Sequence, residues 1–228
     1  MNINITRTKK VFKSAIANVI KNGTDELLSE AAFPAYAHSN PLIDHLFWKR
    51  LSVAAEYIEK KGHRTILDFG CGSGVFTYAL ALDPKNNITG FDTVYEPLTK
   101  IRKTISFPLN VTFIPDLAHY DQLPPESFDA IVALDVLEHV EDLAGTLEKF
   151  KKLLKPKGEV LISGPTENIL YSIGRKIAGK EFSGSYHRRN IADIEATTRN
   201  IFSSKTPIQT LYPLLPFFKL FAVGTQQK

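Results

Sequence analysis

One stretch constrains this chain more than any other: Asp68-Phe69-Gly70-Cys71-Gly72-Ser73-Gly74. An apolar run, Thr65-Ile66-Leu67, comes just before it, and a helix-compatible run, Val75 to Leu82, comes just after. That order predicts a strand, a glycine bend and a helix start. Glycine reaches positive φ and lets a ligand approach the main chain without a Cβ in the way. The first N–H groups of the helix then face whatever lies over the bend. The spacing is G-x-G-x-G. Val75 stands where a dinucleotide fingerprint wants its third glycine, and no G-K-[ST] follows, so the bend does not read as a Walker loop either.

The acidic residues narrow the ligand. A carboxylate at Asp68, on the strand end before the glycines, would repel a pyrophosphate and suits an amino group. The next strand candidate, Asn87 to Asp92, also ends in a carboxylate. An acidic side chain about 20 residues after such a bend is placed to grip a ribose diol. The ligand therefore reads as a nucleoside that carries an amino acid.

The run Ile66-Leu67-Asp68-Phe69-Gly70-Cys71-Gly72-Ser73-Gly74 closely resembles the first motif of class I S-adenosylmethionine-dependent methyltransferases. The resemblance continues through Gly90-Phe91-Asp92, Phe128-Asp129-Ala130-Ile131-Val132 and Leu153-Leu154-Lys155-Pro156-Lys157-Gly158-Glu159, and covers residues 63 to 165. It implies a Rossmann-like α/β fold, with S-adenosyl-L-methionine as cofactor and S-adenosyl-L-homocysteine as product. It also implies cofactor contacts from Asp68, Phe69, Gly70, Cys71, Gly72, Ser73, Gly74, Asp92 and Thr93. By the same resemblance Asp116 accepts from the adenine amino group, Leu117 borders the base, and the Leu134 carbonyl faces the methionine portion.

The strand and helix pattern is consistent with that fold. Strands are predicted at 64–69, 87–92, 111–114, 130–134 and 159–163, with helices at 75–82, 95–105 and 143–154 between them. Short β-branched runs separated by helices predict a doubly wound, mostly parallel sheet covered on both faces. Ile208 to Leu211 and Phe217 to Val223 suit an antiparallel strand pair that closes it. The crowd of Lys149, Lys151, Lys152, Lys155 and Lys157 is explained as complementing a helix dipole.

Residues 1–62 are not needed to build such a sheet and read as an N-terminal helical cap on a core of residues 63–228. Helices are expected at 7–22, from Thr24 to the break at Pro34, and from Pro41 to Lys60. Tyr36, His38, His45 and Trp48 are the cap's candidates for lining a substrate pocket, with packing as the alternative for Tyr36 and Trp48. A substrate-side insertion is expected at about 166–200. It holds a helix over 168–177, another over 191–199, and Tyr186-His187-Arg188-Arg189, a segment similar to one that borders the acceptor pocket in many small-molecule and lipid methyltransferases. The apolar stretch from Leu211 to Phe218 reads either as a core hairpin or as a rim for a greasy substrate or a membrane surface.

Composition excludes several classes. The 228 residues make one domain, or a core with an added cap, and the net charge is +4. The centre is acidic and both flanks are basic. No dense Arg/Lys tract occurs, which argues against a nucleic-acid partner. Cys71 is the only cysteine, so no disulfide can form within the chain and no cysteine metal site exists; no metal is expected. This fits a reducing cytoplasm. Neither a signal peptide nor a run of about 18 apolar residues is seen. Nothing in the pattern specifies an oligomeric state.

Methyl transfer from a sulfonium mainly requires alignment and exclusion of water. An oxygen acceptor also needs a base, and histidine is suited to that near neutral pH. His139, in Asp135-Val136-Leu137-Glu138-His139, and His187 are the candidates, with a structural role as the alternative for each. Leu134-Asp135-Val136-Leu137 replaces the Asn-Pro-Pro-Tyr type of sequence, which shifts weight toward a small-molecule, lipid or sugar-type acceptor methylated on oxygen or nitrogen. Two other readings stay open: a non-catalytic S-adenosylmethionine-binding regulator or partner subunit, and a nicotinamide-dependent oxidoreductase, against which Val75 and Asp68 argue.

Overall fold

A computed structural model describes residues 3–22, 41–165, 189–211 and 218–224. The helix expected after Thr24, the segment before Pro41 and the helix expected over 168–177 lie outside the described residues.

Seven strands form one mixed sheet. They are β1 (Thr65–Phe69), β2 (Asn87–Phe91), β3 (Val111–Ile114), β4 (Phe128–Leu134), β5 (Leu154–Pro165), β6 (Ser204–Leu211) and β7 (Phe218–Gly224). Their order is β3-β2-β1-β4-β5-β7-β6. The first five run parallel, β7 is antiparallel to β5, and β6 is antiparallel to β7. The helices are α1 (Ile3–Asn22), α2 (Pro41–Lys61), α3 (Val75–Ala81), α4 (Glu96–Arg102), α5 (Leu117–Asp121), α6 (Leu143–Leu153) and α7 (Ile191–Ile201). The mostly parallel sheet with a C-terminal antiparallel pair is the expected architecture.

Alternate residues of the central strands feed two cores. Ile66, Ile88, Ala130, Val132 and Leu161 pack with α1, α2 and α3 on one face. Leu67, Phe91, Ile131, Val160 and Ile162 pack with α6 and α7 on the other. Helices on both faces explain why β1 and β4 are apolar on both sides. From β1 the chain builds outward through β2 and β3, then returns to place β4 on the opposite side of β1. The connections leaving β1 and β4 therefore diverge, and a crevice forms beyond their carboxyl ends.

The N-terminal helices are layers of the first core. Ile5, Phe12, Ala15 and Ile16 of α1 are buried against it, and Phe12 meets Tyr78 of α3 edge-on at 5.4 Å. Lys9 and Lys13 also pair with Asp44 of α2 at 2.6 and 2.7 Å. Part-exposed pairs contribute about 1 kcal/mol or less each, whereas each buried large apolar side chain contributes about 1.5–3 kcal/mol. Packing, not charge, holds α1. Helix α2 is tied to both ends of the β4–β5 strand pair. Near its C-terminus, Tyr57 and Lys61 donate to Glu159 of β5 at 3.0 and 3.1 Å, with His63 Nε2 at 3.2 Å. Near its middle, Arg50 pairs with Asp135, which follows β4.

Several boundaries differ from the sequence pattern: α1 begins at Ile3 and β4 at Phe128, both earlier than expected, and three others bear on the packing. Helix α5 is not expected from it; Asp116 caps this helix by accepting from the His119 N–H at 2.9 Å. Strand β6 begins at Ser204, four residues before Ile208, where the sequence pattern starts it. Strand β5 begins at Leu154, which pairs with Phe128, so Lys155 does not end a helix. Its ammonium instead reaches Asp129 Oδ1 at 2.9 Å. Asp129 Oδ2 accepts from the N–H groups of Arg64 and Thr65 at 2.9 and 2.8 Å, and from the Thr65 hydroxyl at 2.8 Å. Burial works against this carboxylate, but the two N–H groups and Lys155 outweigh it and hold its pKa well below the usual range. Asp129 thus fixes the start of β1 against β4. Asp129→Ala leaves those N–H groups unmet and is expected to lower stability in urea unfolding by about 2–4 kcal/mol. Lys155→Met is expected to cost under half as much, because Lys155 is part-exposed.

Candidate active site

The glycine bend is held by the end of the neighbouring strand. The N–H groups of Gly70 and Cys71 both donate to the Phe91 carbonyl, at 2.8 and 3.0 Å. The Gly72 N–H donates to Asp92 Oδ2 at 2.7 Å, and the Val94 N–H to Asp92 Oδ1 at 2.8 Å. Gly70 and Gly72 have φ of +75° and +53°. A Cβ at Gly70 would run into Val136, while one at Gly72 would meet nothing within 4 Å. Gly70 is thus required by close packing, and Gly72 marks the open side of the bend.

Two carboxyl groups flank that bend at the ends of adjacent parallel strands. Asp68 is buried and accepts from Thr77 Oγ1 of α3 at 2.5 Å. Burial pushes its pKa up to about 7; the Thr77 hydrogen bond partly offsets this, and the Asp92 charge adds to it. Burial also raises Asp92, against the N–H groups of Val94, Gly72 and Thr93. Burial, helped by both carboxylates, raises the Cys71 thiol, which makes it a packing group and not a nucleophile. The Ser73 hydroxyl is buried in the bend and has no hydrogen-bond partner among the described residues. A native protein seldom leaves such a group unmet. A polar ligand lying along the bend would meet it, and a cationic ligand group would relieve the two carboxylates.

Beyond β2 and β3, large apolar side chains stand open. Val94 and Leu117 are 51% and 56% exposed, at the carboxyl ends of neighbouring strands. Asp116 lies between β3 and α5 and is exposed, with its carboxylate lowered by the N–H and the ring of His119. An apolar flat group could cover Val94 and Leu117 there.

Past β4 the chain turns sharply. Leu134 ends the strand opposite Ser163 of β5, and Asp135 follows at φ +53°, an uncommon conformation for a residue with a side chain. Asp135 is held from three sides. Its N–H donates to the Ser163 carbonyl at 3.1 Å, its Oδ1 accepts from Ser163 Oγ at 2.8 Å, and its Oδ2 pairs with Arg50. His139 is exposed in the turn that follows, and its N–H donates to the Val136 carbonyl at 3.0 Å. Arg189 returns to this turn to donate to the carbonyls of Val140 and Glu141.

Comparison with known proteins decides the family. A family model described as a methyltransferase domain matches residues 28–206. The chain belongs to that family. It is 33% identical over 118 residues to the ubiquinone biosynthesis O-methyltransferase of Actinobacillus pleuropneumoniae serotype 7, spanning 47% of this chain and 50% of that protein. It is 28% identical over 141 residues to the protein of that name from Photobacterium profundum, spanning 61% of this chain and 57% of that one. The chain thus covers between half and three-fifths of these curated relatives. Among solved structures, the plantazolicin methyltransferase BpumL in complex with SAH gives a TM-score of 0.66 at 16% identity, over 99% of this chain and 100% of that one. Human N-acetylserotonin methyltransferase in complex with SAM gives 0.60 at 15% identity, over 98% and 69%. At those identities the likeness speaks for the fold.

Within this methyltransferase domain, the bend, Asp68, Asp92, Thr93 and Leu134 come together around the crevice, with Asp116 and Leu117 at its β3 side. Phe69 turns its ring into the second core, 4.9 Å from Phe150 and 5.6 Å from Phe91, so only its main chain is left for a ligand. Trp48 is wholly buried in the first core, with the Lys9 ammonium of α1 5.8 Å from its ring centre, which fits the packing alternative. His45 is exposed on α2. Tyr36, His38, Tyr186, His187 and Arg188 lie outside the described residues. Sequence reasoning passes over Val94, Arg50 and Asp135 as a side chain, and names Arg189 only within the segment expected to border the acceptor pocket. The available signals are an apolar residue two places after the strand-end carboxylate and an arginine four places after Leu46 on an apolar helix stripe.

The raised carboxyl is directly measurable. The carbon-detected NMR titration of Asp68 is expected to have a midpoint near 7, and Thr77→Val, which removes the bond to the ionised form, should move it higher. A carboxyl raised by folding is protonated in the folded chain where the unfolded chain has lost its proton. Its contribution to stability is therefore present at low pH and declines as pH rises from about 4 to 7.

Proposed function

We propose that this chain transfers a methyl group from S-adenosyl-L-methionine to a small-molecule or lipid-like acceptor, releasing S-adenosyl-L-homocysteine. The observation that carries this reading is the pair of buried-side carboxyls, Asp68 and Asp92, at either side of an open glycine bend that also holds an unmet hydroxyl. That set fits an amino-acid nucleoside: acceptors for an ammonium and a diol, a donor-acceptor hydroxyl and a bare main chain. When bound, S-adenosyl-L-methionine supplies a methyl group already activated on a sulfonium. Asp92 would take the ribose diol, with Thr93 beside it. Asp68, through the ionised form, would attract the ammonium end. Val94 and Leu117 would cover the base, and Asp116 would accept from its amino group. The Leu134 carbonyl would border the methionine portion.

The relatives' name, an O-methyltransferase, supports an oxygen acceptor. His139 stands in the turn after β4 and is proposed as the base that takes the acceptor's proton, with His187 as the second candidate. In this reading residues 1–62 form a cap and residues 63–228 the core, with His45, Tyr36, Tyr186 and Arg188 on the acceptor side. The apolar sequence from Leu211 to Phe218 supplies a rim for a greasy acceptor or a peripheral membrane contact. A single buried Cys71 is in keeping with a cytoplasmic setting. No helix among the described residues is long and apolar enough to cross a membrane.

Calorimetry with S-adenosyl-L-methionine, S-adenosyl-L-homocysteine and NADH tests the ligand: heat with the first two and none with NADH is expected. Asp92→Ala should weaken S-adenosyl-L-homocysteine at least about tenfold, the loss of one hydrogen-bonded charged contact. The ammonium prefers ionised Asp68, so affinity should be level above pH 7 and fall below it, by up to about tenfold per pH unit. A flat profile from pH 5 to 8 removes Asp68 from the ligand contacts. Radiolabelled methyl transfer into a cell extract reads activity, and His139→Ala should lower it about 10²-fold if His139 is the base. No transfer by the parent, with tight nucleoside binding, would point to a binding protein instead.

A further inference from the structure

Arg50 is 3% exposed on α2, and its carboxylate partner Asp135 is 21% exposed. Burying a guanidinium is costly unless a paired carboxylate is held in place for it. Here Asp135 is held for it: Ser163 Oγ and the Ser163 carbonyl fix its side chain and its main chain. Asp135 also adopts a left-handed conformation, which persists only where the surroundings impose it. The next residue, Val136, lies so close to Gly70 that no Cβ could be added there. A continuous line of contacts therefore runs from α2, through Asp135 and Val136, to the first glycine of the bend. None of these contacts uses the nucleoside-facing side chains named above.

We propose that Arg50 is a positioning residue for the nucleoside site: by pairing with Asp135 it seats Val136 against Gly70 and keeps the bend in its binding shape. This rests on the reading of the bend as an S-adenosyl nucleoside site. Without Arg50, the Asp135 turn loses one of its three holds, the seat of Val136 loosens, and Gly70 to Gly72 gain freedom that binding must then remove. Helix α2 is thereby coupled to cofactor affinity, although the residues that would touch cofactor come from elsewhere.

The test is a double-mutant cycle read by calorimetry with S-adenosyl-L-homocysteine, well below the unfolding transition, alongside urea unfolding. Arg50→Met keeps side-chain length and removes the charge; Asp135→Asn keeps tolerance for the left-handed backbone. Each is expected to weaken binding about tenfold at unchanged stoichiometry, with the double variant no weaker than the worse single one. Arg50→Lys should recover part of the loss. A role confined to stability would shift the urea midpoint and leave the affinity of the folded chain at the parent value, and that result overturns the proposal. So do fully additive losses. Should Arg50→Met not fold, Asp135→Asn and Val136→Ala carry the test: Val136→Ala leaves the ion pair intact and must still weaken binding. A parent that binds normally beside variants that bind equally well sinks this inference alone. A parent with no heat for the nucleoside sinks the reading of the site, and this inference with it.

Discussion

Three consecutive N–H groups of the bend, those of Gly70, Cys71 and Gly72, are all taken by the end of β2. A bend that leaves its sheet must find partners for its main chain or be wetted. Here the Phe91 carbonyl takes two and the Asp92 carboxylate takes the third. The bend is thereby stapled across β1 and β2, and its open face at Gly72 is set by its neighbour. One consequence is that Asp92 is a structural group as well as a candidate ligand contact. Its remaining lone pairs are aimed by the N–H groups it already holds, so a diol would find them oriented in advance.

That arrangement carries a cost. Two carboxyls close enough to feel one another are partly or wholly withdrawn from water, and both are pushed toward the protonated state. Near neutrality the free chain therefore keeps Asp68 poised between forms. Local strain of this kind persists where the surroundings are well packed. They are: Phe69, Phe91, Tyr120 and Phe150 interlock below one side of the bend, and Phe12, Tyr78 and Phe107 below the other. A cation laid over the bend would shift Asp68 to its charged form, which converts part of this cost into affinity.

What the sequence makes legible follows from how local each signal is. Strand β3 is readable to the residue because Val111-Thr112-Phe113-Ile114 is a β-branched and aromatic run with turns on both sides. The bend is readable because glycine spacing and strand-end carboxylates are local features. Helix α5 is not, since so short a helix shows no periodicity and only the Asp116 cap marks it. The early start of β5 is hidden by Lys155 and Lys157, which the sequence assigns to a helix end; Lys157 takes positive φ, yet the strand pairing begins before it. Trp48 stays open between pocket and packing in the sequence because a cap aromatic and a core aromatic have the same letter, and its burial favours packing. Arg50 escapes notice for the opposite reason: charge on a helix is usually solvated, and its partner Asp135 lies far along the chain.

Two points along α2 show where that helix is held hardest. Near its C-terminus, Glu159 gathers Tyr57, Lys61 and His63; the Lys61 pair is 41% exposed and screened by salt, whereas His63 is 11% exposed. Near the middle of α2 the Arg50–Asp135 pair is withdrawn from water, so breaking it strands a buried charge. Salt would therefore loosen the Lys61 contact, on the side of the strands' amino ends, before the contact beside the crevice. A helix added to a sheet only for packing would have no reason to be fixed in that order; one whose grip on the turn after β4 sets the shape of the bend would.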